Sequence, residues 1–297
     1  MTVRLGVNPI GWSNDDMREL GGDIPLETCL AEARGAGFSG IELGHKFPRD
    51  AARLRPLLEA HDIGLIGGWY STGLLVRDAP AEIEAARDHL GLLRDLGCAV
   101  FIIAETTGAI HGEPSAALSS RPRLDDGDWP GFAARMTEFC KFLRDQGIAP
   151  AYHHHMGTVV ETADEIARFM DAVGEEVGLL LDTGHAVYAE ADPVALARAY
   201  GPRITHVHCK DVRLSVRDEA LARDSSFLHA VVDGVFTVPG DGDVDFPAVL
   251  AEMSAVGYSG WLVVEAEQDP AKADPKTYAE MGYANLDRMA AEAGLYQ

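Results

Sequence analysis

The chain has 297 residues, 47% of them hydrophobic, with 47 acidic against 25 basic side chains and a formal charge of −22. That balance argues against nucleic acid, whose binding depends on cationic neutralisation of phosphate, and against adhesion to an anionic membrane. No apolar run approaches the ~20 residues of a membrane span, and the opening MTVRLGVNPIGW lacks a basic stretch followed by an apolar signal core. A cytoplasmic location is expected, with Cys29, Cys98, Cys140 and Cys209 as free, mostly buried thiols because none stand at metal-knuckle spacing.

Strand-like and helix-like patterns alternate along the chain. Val3–Val7 reads as a first strand, followed by the loop Asn8–Gly22 and a helix over Pro25–Ala36. Ser39–Leu43 is a second strand that ends in Glu42 and then His45, and Leu54, Leu57 and Leu58 stripe the next helix. A third strand, Ile63–Gly67, stops near Trp69, and Ile83, Ala86, Leu90 and Leu93 predict one helix. Cys98–Ala104 is a fourth strand with Glu105 at its exit, before a long loop at Thr106–Asp128. Phe132, Met136, Phe139 and Leu143 mark a helix, Ile148–His155 a fifth strand, and Ile166, Phe169, Met170 and Val173 another helix.

The sixth strand lies in Val177–His185, VGLLLDTGH, where an apolar run ends abruptly in Asp182. A helix at Pro193–Tyr200 and a seventh strand at Arg203–His208 follow. The connection Val212–Gly260 is long, with a Pro239–Asp243 turn (PGDGD) and a helix near Phe246–Val256. Trp261–Glu265 is an eighth strand and Tyr278–Ala293 a closing helix. Eight βα units predict a single-domain (β/α)8 barrel spanning residues 1–297. A doubly wound sheet is disfavoured, since no glycine-rich dinucleotide fingerprint follows the first strand.

In such a barrel the chemistry gathers at the C-terminal ends of the strands. Collected there are Glu42 and His45, Glu105, His153–His155, Asp182 and His185, His206, His208 and Lys210, then Glu265 and Glu267. Side chains alternate along a strand, so His206, His208 and Lys210 share one face, as do His153 and His155, and Glu265 and Glu267. Oxygen donors with a few imidazoles suit Mn²⁺, Co²⁺ or Mg²⁺. His154 is expected to face the helix layer and Cys209 the core, while His61, His89 and His229 read as surface or capping residues. The PGDGD turn is read as a turn, because the remaining ligands of a calcium loop are missing.

DTGH at Asp182–His185, HVHCKD at His206–Asp211 and VVEAE at Val263–Glu267 resemble the xylose isomerase-like barrel superfamily of sugar isomerases, epimerases and dehydratases. NPIGWSNDD at Asn8–Asp16, GIELGHKFP at Gly40–Pro48, YHHHMGT at Tyr152–Thr158 and GWLVVEAEQD at Gly260–Asp269 are more specifically similar to the inosose dehydratases. The resemblance implies one divalent ion, Mn²⁺ or Co²⁺ with Mg²⁺ as an alternative, near the barrel axis, and allows glutathione as a further cofactor. Asp182, His208 and Glu265 match three superfamily ligands. Where many relatives place a fourth-ligand glutamate this chain has His153, so that position stays open between His153, His155 and water.

The implied substrate is a polyhydroxylated cyclic ketone, 2-keto-myo-inositol, which loses water by α-proton abstraction and β-elimination. His185, Lys210 and His155 are the expected catalytic contacts, with Glu42, Trp12 and Trp69 against the substrate. The base stays open between His155, Glu105 and Glu267. An isomerase or 3-epimerase could use the same scaffold by returning the proton instead. A metal-dependent endonuclease is disfavoured by the charge and by a mononuclear ligand set, and a non-catalytic sugar-binding protein has no need of one. The loops Asn8–Gly22 and Thr106–Asp128 are candidates for a contact within a homo-oligomer.

Overall fold

Each short apolar run becomes a strand because both of its faces are covered, one by the barrel interior and one by a helix. In the computed structural model, which describes residues 2–296, the strands are β1 (Arg4–Val7), β2 (Gly40–Leu43), β3 (Gly64–Thr72), β4 (Val100–Glu105), β5 (Ala149–His153), β6 (Leu179–Asp182) and β7 (Ile204–Cys209). A short antiparallel pair, β8 (Asp211–Val212) with β9 (Phe236–Thr237), precedes β10 (Trp261–Val264). The eight longer strands close into a barrel in the order β1-β10-β7-β6-β5-β4-β3-β2, every pairing parallel. The expected (β/α)8 architecture is what forms.

Three boundaries differ from expectation. β3 continues to Thr72 because Trp69–Thr72 pair with Ile102–Glu105 of β4, a partner invisible to local periodicity. The helix expected over Ile83–Leu93 is two, Ala79–Ala85 and Arg87–Asp95, meeting at Ala86. β5 ends at His153, so His155 stands in the turn beyond it.

The barrel interior is filled in layers. At the N-terminal end Trp261 plugs the opening beside Ile66 and Val263, with the Arg4 guanidinium 4.1 Å above its ring. Glycines make the space: a Cβ at Gly40 stands 2.6 Å from Trp261 Cη2, and one at Gly6 stands 2.6 Å from Ile66 Cδ1. Val100, Ile102, Ala151 and Leu180 form the next layer, under Trp69. The buried polar side chains gather toward the C-terminal mouth, with His206 the deepest of the site histidines.

A second apolar cluster, including Met17, Leu118, Met156, Tyr188, Phe227 and Phe236, packs the loops over part of that mouth. The Pro239–Asp243 turn is held by Asp211, whose carboxylate accepts backbone N–H groups from Gly240, Gly242 and Val244 at 2.9, 3.0 and 2.9 Å. It is a turn, as expected. Among the described residues no helix is long and apolar enough to cross a membrane, and all four cysteines are free and buried.

The plug makes glycine positions unequal. Gly40→Ala is expected to lower unfolding stability by about 1–3 kcal/mol through overpacking against Trp261. Gly91→Ala, in the exposed helix Arg87–Asp95 where nothing lies within 4 Å of the added carbon, is expected to raise it by about 0.5–1 kcal/mol. Urea unfolding of both variants checks the opposite signs.

Candidate active site and metal centre

Strand register brings the chemistry together. Asp182 at the end of β6 is in register with His208 of β7, and His208 with Val263 of β10, two residues before Glu265. His153 closes β5, the neighbour of β6 on its other side. One ligand atom from each of His153, Asp182, His208 and Glu265 lies within 4.8 Å of all the others, and all four residues are buried.

Neighbouring groups decide where the lone pairs point. His153 Nδ1–H donates to the His154 carbonyl at 2.5 Å, which leaves Nε2 as a bare acceptor, and that atom stands 3.5 Å from Asp182 Oδ2. His208 Nε2–H donates to Glu42 Oε1 at 3.0 Å, so Nδ1 turns to Asp182 Oδ2 at 3.4 Å and Glu265 Oε2 at 3.0 Å. Asp182 Oδ1 accepts from the His185 backbone N–H at 2.8 Å and caps the helix Thr183–Tyr188. Its Oδ2, like His208 Nδ1, is buried without a hydrogen-bond partner. Orphaned acceptors facing one another at such distances fit a divalent cation, which two imidazoles and two carboxylates would hold.

Charge in the surroundings points the same way. Glu42, Asp182, Glu265 and Glu267 are all buried, against one buried ammonium, that of Lys210. Burial opposes the charged form of Lys210, but Asp182, Glu265 and Glu267 outweigh it and hold the ammonium above its ordinary pKa. Burial likewise opposes a charged His208, yet Glu265 and Glu42 raise it well above the usual imidazole range. A proton and a metal ion therefore compete for the same atom, His208 Nδ1.

A cavity of about 160 Å³ opens above this centre, lined by Glu42, Trp69, His153, His155, His208, Glu265 and Glu267, with Asn8, Asp15, Asp16 and His111 among the other lining residues. Trp69 stands where expected, its ring 5.4 Å from those of both His153 and His155. Trp12 does not reach the cavity: its indole N–H donates to Glu32 at 2.7 Å and its ring is packed in the helix layer. Periodicity cannot tell which way a loop tryptophan turns.

Glu42 borders the cavity, but its oxygens are engaged. Oε1 accepts from His206 at 2.7 Å as well as from His208, and Oε2 accepts from Asn8 Nδ2 at 2.7 Å. The same Asn8 amide reaches Glu265 Oε2 at 2.8 Å. Lys210 and His185 lie behind the lining: the ammonium contacts Glu265, Glu267 at 2.8 Å and His185 Nε2 at 3.0 Å. Glu105 is likewise removed from the cavity, accepting from Thr72, Leu74 and Thr107, which ends its candidacy as a base. His154 is buried off the cavity, with Nε2 3.4 Å from the Asp182 N–H, as expected. His89 is neither surface nor cap; it packs between Tyr70 and Phe101.

His155 keeps a free acceptor. Its Nδ1–H donates to the Met156 carbonyl at 2.8 Å, so Nε2 carries the lone pair. Burial and the neighbouring His185 hold its pKa well below the ordinary value, so it stays neutral. Asn8, Asp16 and His111 are among the lining residues that sequence reasoning did not single out. All three are on loops, where no strand period announces direction.

A family model described as xylose isomerase-like TIM barrel matches residues 30–288. The rhizopine catabolism protein MocC of Rhizobium meliloti is 50% identical over 99% of this chain and 90% of its own length. Inosose dehydratases of Yersinia enterocolitica and Geobacillus thermodenitrificans are 41% and 40% identical, each over 93% of this chain and 94% of theirs. Among solved structures, an L-ribulose 3-epimerase superposes with a TM-score of 0.69 at 19% identity, covering 99% of this chain and 96% of that one. The probable 3-DHS dehydratase AsbF of Bacillus anthracis does so with a TM-score of 0.69 at 15% identity, covering 96% and 99%. The last two speak for the fold alone. The chain belongs to the xylose isomerase-like TIM barrel family, which it shares with the inosose dehydratases, and it is an enzyme of the dehydratase type.

Proposed function

We propose that this enzyme dehydrates a polyhydroxylated cyclic ketone, 2-keto-myo-inositol, to a trihydroxycyclohexane-1,2-dione and water. The observation that carries the reading is the convergence of His153 Nε2, Asp182 Oδ2, His208 Nδ1 and Glu265 on one point beneath a cavity that also presents the free Nε2 of His155. These four residues hold a divalent ion, Mn²⁺ or Co²⁺ by donor type. When bound, that ion supplies the Lewis-acid charge that makes a carbon next to the ketone acidic.

The chain's own groups divide the rest of the work. His155 Nε2 takes the α proton, because it is the neutral imidazole nitrogen with its lone pair open to the cavity. The C–H electron pair moves into the ring as the hydroxyl on the next carbon departs, and that hydroxide leaves as water with a proton that is, in net balance, the one His155 removed. The resulting enol ketonises to the dione. Glu267 serves less well as a base, since Lys210 Nζ donates to its Oε1 at 2.8 Å. Glu42 fixes the tautomer and tilt of His208 from behind, and Trp69 covers one side of the ring. Small-molecule chemistry and four free cysteines suit a cytoplasmic enzyme.

Incubation of metal-loaded enzyme with 2-keto-myo-inositol is expected to give a product lighter by one water that absorbs in the ultraviolet, and chelation is expected to stop it. An isomer of unchanged mass would establish the isomerase or epimerase chemistry instead. Asp182→Asn keeps an N-cap side chain, so it should abolish turnover and metal retention with little change in melting temperature. Glu42→Gln is expected to weaken metal affinity about 10–100-fold, read by Mn²⁺ titration, through loss of the charged acceptor behind His208. His155→Gln should lower kcat by about 10²–10⁴-fold while metal affinity holds; wild-type turnover in that variant would remove His155 as the base.

A further inference from the structure

Two segments that meet at the cavity are tied together around one buried arginine. Arg121, on the loop Thr106–Asp128, is 5% exposed. Its Nε lies 3.0 Å from Glu161 Oε1, one terminal nitrogen donates to Glu165 Oε1 at 2.8 Å, and the other donates to the Thr158 carbonyl at 3.1 Å. Glu161 Oε2 in turn accepts the Gly157 N–H at 2.6 Å. The guanidinium thus grips the turn that begins at His155 at its Thr158 carbonyl directly, and at Gly157 through Glu161.

The same turn is stitched back to the long loop. Ile110 N–H donates to the Gly157 carbonyl at 3.0 Å. Gly157 has φ +77, and a Cβ there stands 2.9 Å from the His111 backbone nitrogen, so the approach needs glycine. The result is His111 at the cavity wall, its ring centroid 4.9 Å from that of His155 and 6.2 Å from that of Trp69. His111 Nδ1 is buried and has no partner.

A buried guanidinium paired with two carboxylates is a poor way to gain stability, because desolvation offsets most of the attraction. What the planar fork of five donors specifies is geometry. We propose that Arg121 is a positioning residue that holds His111 and His155 as a pair, and that His111 is a further substrate-contacting residue whose imidazole hydrogen-bonds a ring hydroxyl. The second half rests on the dehydratase reading above; the first does not.

The test uses the full chain, loaded with diamagnetic Mg²⁺ for the NMR arm, which needs no substrate, and with Mn²⁺ for the kinetic arm. Arg121→Gln is expected to shift the ring NMR signals of His111 and His155 while those of His206, deep in the barrel, stay put; unmoved His111 and His155 signals overturn the positioning role. Should Arg121→Gln fail to fold, Glu165→Gln removes one arm of the grip and is read the same way. In the second arm, on 2-keto-myo-inositol, His111→Ala and Arg121→Gln are each expected to lower kcat/KM about 10-fold, the worth of roughly one hydrogen bond. Together they should lower it by less than the product of the two separate losses, because part of what Arg121→Gln costs is the placement of His111. Losses that multiply, or wild-type kcat/KM in His111→Ala, overturn the proposal. A wild-type enzyme inert on this ketone overturns the dehydratase reading and His111's substrate contact with it, while the ring signals still decide the role of Arg121.

Discussion

Four acceptor atoms aimed at one point, inside a dry barrel, set the terms for everything around them. Carboxylates and imidazole lone pairs repel at 3.0–3.5 Å, and in a low-dielectric interior that repulsion is far stronger than in water. The fold answers it from outside the quartet. Lys210 sits beneath Glu265 and Glu267, Asn8 links Glu42 to Glu265, and the carboxylate field draws a proton onto His208. Apart from that proton, none of these enters the gap between the acceptors. A doubly charged ion would fit there, and the supporting residues are placed to orient the groups that would hold it.

That shell depends on the period of two along each strand. In HVHC, His206 and His208 both face inward one layer apart, and Glu42 on β2 reaches across to accept from both. In YHHHM, His153 turns in and His154 turns away, and His155, just past the strand end, is returned to the cavity by a tight turn in which its backbone N–H donates to the Val160 carbonyl at 3.1 Å. Three adjacent histidines thus have three different tasks. The far end of the barrel supplies rigidity: with Trp261 seated among glycines, the strands cannot slide without breaking that fit, and a one-residue slip would turn every ligand to the wrong face.

The architecture was legible because its signals are local: apolar runs, acids at their ends, helices between. That acids and imidazoles gather at strand ends was legible for the same reason, but singling out Asp182, His208 and Glu265 came from the family resemblance, which left the fourth position open between His153, His155 and water. What could not be read was which polar groups would already be occupied by their neighbours. Glu105 looks like Asp182 in the sequence, an acid at a strand end, yet Thr72, Leu74 and Thr107 saturate it. Trp12 and Trp69 both follow strands, but one continues a strand into the cavity while the other turns outward to Glu32. His111 belongs to a loop that packs its backbone against Gly157, a residue 46 positions further along the chain that no periodicity connects to it.

The charge of the cavity lining narrows the ligand further than the fold can. Asp15, Asp16, Glu42, Glu265 and Glu267 border it, and no lysine or arginine does; the one nearby cation, Lys210, is spent beneath the floor on those same carboxylates. A divalent ion offsets two charges and leaves the wall anionic. A phosphorylated or carboxylated sugar would meet repulsion there with no guanidinium to receive it, and the overall charge of −22 opposes its approach at long range. A neutral polyol meets the opposite situation, because carboxylates and unprotonated imidazoles accept hydrogen bonds from hydroxyls. Relatives on this barrel handle varied sugars, so the scaffold leaves the substrate undetermined; it is the lining, rich in acceptors and without a lysine or arginine among the described residues, that supports the proposed reading of an uncharged ring bearing many hydroxyl donors.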